Sequence, residues 1–151
     1  MRIHEDMEQR LLTRLEQLHT LGGGTIGDML DLRLLEVDSL QGTVLLRCAT
    51  APWMRNLAGT LHGGMCATVV DQAMGCVAYC AKPGEGIAPT IDLQVSYLRP
   101  LIPGEDVAIV VRVIAVGHQL IRLSAEAAVA SAPDKPCLSS SATYFYKPIS
   151  A

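Results

Sequence analysis

From Gly64 to Ala81 the chain carries eighteen residues, GMCATVVDQAMGCVAYCA, with one formal charge among them, Asp71. A run this apolar must be covered, by lipid or by the rest of the protein. It is rich in Ala, Gly, Cys and Thr, and Asp71 and Gln72 stand near its middle. A mid-span aspartate costs about 2.5–3.5 kcal/mol on insertion scales, and small residues recover little of that. The run therefore reads as a helix buried nearly all round within a soluble domain, with no membrane partner. Its single carboxylate then needs a reason.

The rest of the chain supplies the cover. Apolar residues at Met7, Leu11, Leu12, Leu15, Leu18 and Leu21 predict an amphipathic helix over 5–21, stopped by the glycines of 22–25. Leu30, Leu32 and Leu34 alternate with Asp31 and Arg33, a strand with one buried face. SLQG at 39–42 turns the chain into a second strand, TVLLRCA. The segment 52–64 is irregular and leads into the apolar helix, which KPGEG at 82–86 ends. Beyond it all is β. Ile91, Leu93, Val95 and Tyr97 alternate with Asp92, Gln94 and Ser96, then strands follow at 106–116, 120–130 and 137–147. Short turns between these strands predict an antiparallel meander. The expected class is α+β, a sheet wrapped around one long central helix.

Composition narrows the function. In 151 residues there is room for one domain with a core, built from Leu, Val, Ile, Ala and Met because aromatics are only 4%. Net charge is −3 and no basic block occurs, so nucleic acid is not an expected partner. The histidines, 4, 19, 62 and 118, are scattered, and neither HExxH nor paired CxxC is present, so no metal is expected. The five cysteines are an odd count, three of them inside the apolar run, and read as small core residues. Cys76 and Cys80 lie one helical turn apart, but nothing nearby completes a metal site. The N-terminus, MRIHEDMEQR, lacks the apolar stretch of a signal peptide, and a cytoplasmic protein is expected.

Just before the run stands LHGG. Two glycines at a helix start leave N–H groups at the positive end of the helix dipole, an arrangement that suits a negative oxygen. The same two residues also serve a tight turn with no ligand. Asp71 has two readings as well, a carboxylate bonded to a neighbouring loop or a reactive group. It follows His62 by nine positions (71 − 62), which puts the two on the order of 12 Å apart along the helix. They do not easily serve one carbon within one subunit. If both act, they meet across a two-fold interface, where Ala67, Gly75 and Ala78 allow close packing.

These residues carry a resemblance. The pattern N-x5-HGG-x7-D from Asn56, an apolar helix, and then TIDLQVSYLRPLIPGE is similar to the hotdog-fold acyl-CoA thioesterases of the PaaI-like branch, over about residues 27–147. The resemblance implies a hotdog domain over 27–151, preceded by an N-terminal helix and Gly-rich loop over 1–26. It implies hydrolysis of an acyl-CoA to free acid and CoA, needing a base and an oxyanion donor but no cofactor. Asn56 and His62 would orient the thioester and hold the loop. The Gly63 N–H would polarise the carbonyl, with Gly64 beside it. Asp71, from the other subunit, would act as nucleophile or general base. Thr90 would stand near the attacking water, although strand parity groups it with Asp92 and Gln94 on a face directed away from the helix. Trp53 and Met54 either line the acyl pocket or form a lid packed on the helix. Relatives often carry arginines where this chain has Gly117, His118 and Gln119. Arg99, Arg122 and Lys147 remain as candidate partners for the CoA phosphates, each with the alternative of a solvated surface charge. A homodimer is implied, and pairing of dimers into a homotetramer. The rival readings are a hotdog protein that binds thioesters or a partner without hydrolysis, and, after it, a hydratase.

Overall fold

The computed structural model describes residues 3–21 and 23–149; Met1, Arg2 and Gly22 of the expected N-terminal segment lie outside them. Helix α1 spans Met7–Leu21 and buries Met7, Leu11 and Leu15, the four-residue spacing of one helical face. Its start falls two residues later than the pattern predicts. A short helix, α2 (Ile26–Met29), follows; Thr25 caps it by accepting from Asp28 N.

Strand β1 is Arg33–Asp38, three residues beyond where the leucine alternation begins. Leu30 and Leu32 are buried, but as the end of α2 and the approach to the strand. Between them Asp31 holds φ 44°, a left-handed conformation that breaks the extended run. Asp38 Oδ1 accepts from the N–H groups of Leu40 and Gln41, and the chain turns into β2 (Thr43–Cys48).

A single turn of 3-10 helix at Pro52–Met54 precedes the long helix α3 (Gly63–Cys80). After it come β3 (Gly86–Ile87), β4 (Thr90–Tyr97), β5 (Val107–Val116), β6 (Leu120–Val129), β7 (Leu138–Phe145) and β8 (Lys147–Pro148). The two-residue β3 and β8 pair with each other, a small ribbon too short to show in a periodicity.

The six longer strands form one antiparallel sheet in the order β1-β2-β5-β6-β7-β4. The expected meander covers β5 to β7 only. Strand β4 crosses the sheet to pair with β7, and it leaves one edge without a partner among the described residues. Inward residues alternate along the central strands: Val107, Ile109, Val111 and Val113 on β5, then Ile121, Leu123, Ala125 and Ala127 on β6. Bulges near Glu36 and Ala115 bend strands β1 and β5. The sheet so curved holds α3 against its concave side, the hotdog arrangement, with α1 packed into the same core.

Helix α3 is not buried all round. Nine of its residues are buried, but Gly64, Thr68, Asp71, Gln72, Gly75 and Tyr79 form a partly open stripe along one face. Strand β4 flanks this region and is itself exposed or half-exposed throughout. At the far end Arg10 of α1 donates to the carbonyls of Cys80, Lys82 and Gly84, satisfying acceptors that the helix C-terminus leaves open. Among the described residues no helix is long and apolar enough to cross a membrane.

Candidate active site

The start of α3 is set by His62. Its backbone is extended, and its Nδ1 accepts from the Gly64 N–H at 3.0 Å, an N-cap made by an imidazole. A Cβ on Gly64 would come within 3.2 Å of that nitrogen, so glycine there keeps the cap in place. Gly63 is the first helical residue, and its N–H has no intrahelical acceptor. Tyr97 of β4 donates its hydroxyl to the Gly63 carbonyl at 2.8 Å.

Asn56 closes the loop before the helix. Its Oδ1 accepts from the N–H groups of Ala58 and Thr60, and its Nδ2 donates to the Thr60 hydroxyl at 2.9 Å. Asn56, Gly63, Tyr97 and Arg99 line one cavity of about 390 Å³. Arg99 is held there by donating to the Pro136 carbonyl at 2.6 Å. Met54 is buried in the core, its carbonyl accepting from His62 N, and Trp53 is half-exposed; neither lines this cavity.

Asp71 stands two turns further along α3, half-buried, on a second cavity of about 500 Å³. One carboxylate oxygen, Oδ1, takes two hydroxyl donors, Tyr144 at 2.8 Å and Thr90 at 2.9 Å. Thr90 reaches it because β4 carries a bulge: Thr90 pairs with Tyr144 but Asp92 with Thr143, so Ile91 is an extra residue. Strand parity alone turns Thr90 away from the helix. The bulge reverses its side and aims the hydroxyl at Asp71.

Tyr144 is a functional partner that the sequence pattern does not single out. It is 1% exposed, and burial, with the Asp71 charge second, drives its phenol far above the ordinary range, so it stays a donor. A signal for it exists in the chain. Tyr144 shares strand parity with Ala142 and Leu138, on the inward face, and a buried tyrosine hydroxyl there needs an acceptor. Two nearby polar side chains on α3 are engaged elsewhere: Thr68 donates to the Gly64 carbonyl, and Gln72 to Cys76 Sγ.

The two cavities share no lining residue. Within one chain, Asp71 and Gly63 thus line separate cavities. Among the described residues no three metal-capable side chains cluster.

A family model described as the Thioesterase superfamily matches residues 58–130. Acyl-coenzyme A thioesterase 13 of Homo sapiens is 33% identical over 86 residues, 56% of this chain and 59% of that protein. The chain is thus matched to little more than half the length of this curated relative. The E. coli PaaI protein from the phenylacetic acid degradation operon superposes with a TM-score of 0.75 at 15% identity, covering 99% of this chain and 97% of that one. A Streptococcus mutans protein solved bound to acetyl CoA gives a TM-score of 0.67 at 18% identity, covering 80% and 91%. Residues 58–130 thus match the Thioesterase superfamily, and the chain shares the fold of PaaI.

Proposed function

We propose that the protein hydrolyses an acyl-CoA thioester to the free acid and CoA, in active sites shared between two copies of the chain. The observation that carries this is the Asp71 carboxylate, held by two hydroxyls on one oxygen with its other oxygen left without an assigned partner among the described residues. Either Oδ2 attacks the thioester carbonyl, giving an acyl-carboxyl anhydride that water then opens, or it takes a proton from an attacking water. The oxygen that gains negative charge is received by the Gly63 N–H of the second copy. Collapse breaks the carbon–sulfur bond, and the CoA thiolate leaves and takes up a proton.

Strand β4 supports the pairing. It runs from Thr90, bonded to Asp71, to Tyr97, bonded to Gly63. An unpaired edge strand is a template for another chain. Two copies joined antiparallel along β4 about a two-fold axis oppose these ends, so each Asp71 faces the other copy's helix start. Asn56 and His62 then hold the loop around the thioester, and Thr90 orients Asp71. Apolar residues on the outer sheet face, such as Val110, Ile114 and Leu120, would serve a further pairing into a tetramer. Five buried free thiols suit the reducing cytoplasm.

A hydrolysis assay over a panel of acyl-CoAs, with Asp71→Asn and Asp71→Ala beside the parent, tests the reading. The variants should lose at least about 100-fold in kcat. If the parent binds acyl-CoA without turnover, or both variants keep full rate, the protein is a thioester-binding hotdog instead.

A further inference from the structure

The Asp71 cavity runs on along α3, past Gly75 to Tyr79, and its far wall is Arg14 of α1. Positions 71, 75 and 79 are spaced by four and share one helix face. The middle one has no side chain, and a Cβ there would meet only Tyr144 Cε1, at 3.7 Å. The helix backbone thus floors a trough about 12 Å long, from carboxylate to tyrosine ring. Ile87, Ala88 and Pro89 wall it.

Arg14 differs from its neighbour one turn back. Arg10 is spent on three carbonyls. Arg14 is half-buried, with its guanidinium carbon 4.2 Å from the Tyr79 ring centroid, and it finds no hydrogen-bond acceptor or carboxylate among the described residues. Stacking fixes the plane of a guanidinium and leaves its edge donors free. A fixed fork of donors at the end of an apolar trough matches a carboxylate, which it takes through two parallel N–H···O bonds.

We propose that the trough holds the acyl chain and that Arg14 reads its far end, so that the preferred substrates are mono-CoA thioesters of medium-length dicarboxylic acids. The proposal rests on the hydrolase reading above. A chain that spans about two helical turns brings its carboxylate to the guanidinium. A shorter one falls short, and a methyl end leaves the donors without a partner.

The test compares kcat/KM for sebacyl-CoA against decanoyl-CoA, and succinyl-CoA against butyryl-CoA, in the parent, Arg14→Gln and Arg14→Lys. Thermal melts confirm that the variants fold, and the same acyl groups are also run as N-acetylcysteamine thioesters. The parent should favour sebacyl over decanoyl, with little discrimination in the short pair. Arg14→Gln should cut the sebacyl-to-decanoyl ratio by about ten- to a hundredfold, and Arg14→Lys by less. No preference in the parent, or a ratio that Arg14→Gln does not move, overturns the proposal. So does a loss equal for both acyl groups that disappears with N-acetylcysteamine thioesters, since Arg14 would then grip CoA. If the parent cleaves none of the thioesters, the hydrolase reading falls. Calorimetric binding of the long pair to parent and Arg14→Gln then decides the end-group reading alone, and equal affinities overturn it.

Discussion

The Tyr144 hydroxyl shares its one proton between two oxygens of Asp71, carboxylate Oδ1 at 2.8 Å and the backbone carbonyl at 3.1 Å, so a strand residue holds both ends of a helix residue. Thr90 secures the same oxygen from the edge strand. Three elements, α3, β4 and β7, thus agree on where one oxygen lies, and the other is left for chemistry.

Removing the phenol hydroxyl tests this. Tyr144→Phe should cost about 1–3 kcal/mol of stability, because Asp71 loses the donor that a buried tyrosine supplies. Its kcat should fall about tenfold with KM changed much less, the mark of a group that positions the reacting carboxylate. Thr90→Val should lower kcat in the same manner, and Thr90→Ser should keep most of it. Melting and kinetics of Tyr144→Phe that both match the parent would remove Tyr144 from the site.

Gly63 offers a sharper substitution. It occupies the first helical position, where proline is tolerated, and His62 before it is already extended, as a residue preceding proline prefers. A Cβ at Gly63 meets only Tyr97, at 3.6 Å or more, so side chains fit. Gly63→Pro deletes the N–H and should fold but lose activity by about 100-fold. Gly63→Ala keeps the N–H and should stay active. Mixing Gly63→Pro with Asp71→Asn chains, with exchange confirmed, should restore about a quarter of parent activity, since half the dimers are mixed and each has one intact site. Mixed dimers with no activity would show that the sites are not shared.

Alkaline stability follows from the buried thiols. Burial, with Asp31 and Asp106 adding to it, pushes Cys48 from 9.0 up to about 12. Burial and then Cys76 push Cys80 to about 12. Above about pH 9 the unfolded chain releases protons that the folded chain keeps, so the folded state loses stability as pH rises toward 12. Tyr144, also raised, adds to the decline above its ordinary value of 10.0. Urea unfolding at steps from about pH 8 to 11 should show this fall, and Cys48→Ala/Cys80→Ala should flatten it. An unchanged slope in the double variant would assign the loss elsewhere.

The long elements were legible because their periodicity is strong. The alternation of Ile109, Val111 and Val113, or the spacing of Met7, Leu11 and Leu15, each declares a face. Strand β1 was misplaced because Leu30 and Leu32 are buried without being strand, and apolar alternation does not separate the two states. The order of β4 in the sheet was lost because turn length describes neighbours in sequence, and β4 pairs with a strand that follows it by forty residues or more. At the site, Asp71 stood out as a charge in an apolar run. Its partners did not, since a tyrosine on an inward face and a threonine behind a bulge are ordinary residues until the sheet is assembled.

That bulge has a genetic consequence. Ile91 adds nothing to the ladder, and residues 92–97 pair with β7 without it. Losing its single codon would set Thr90 directly before Asp92 and still opposite Tyr144, so a regular strand keeps the hydroxyl on the helix side. Such an allele would be silent: the chain would be one residue shorter, and abundance and turnover would both match the longer form.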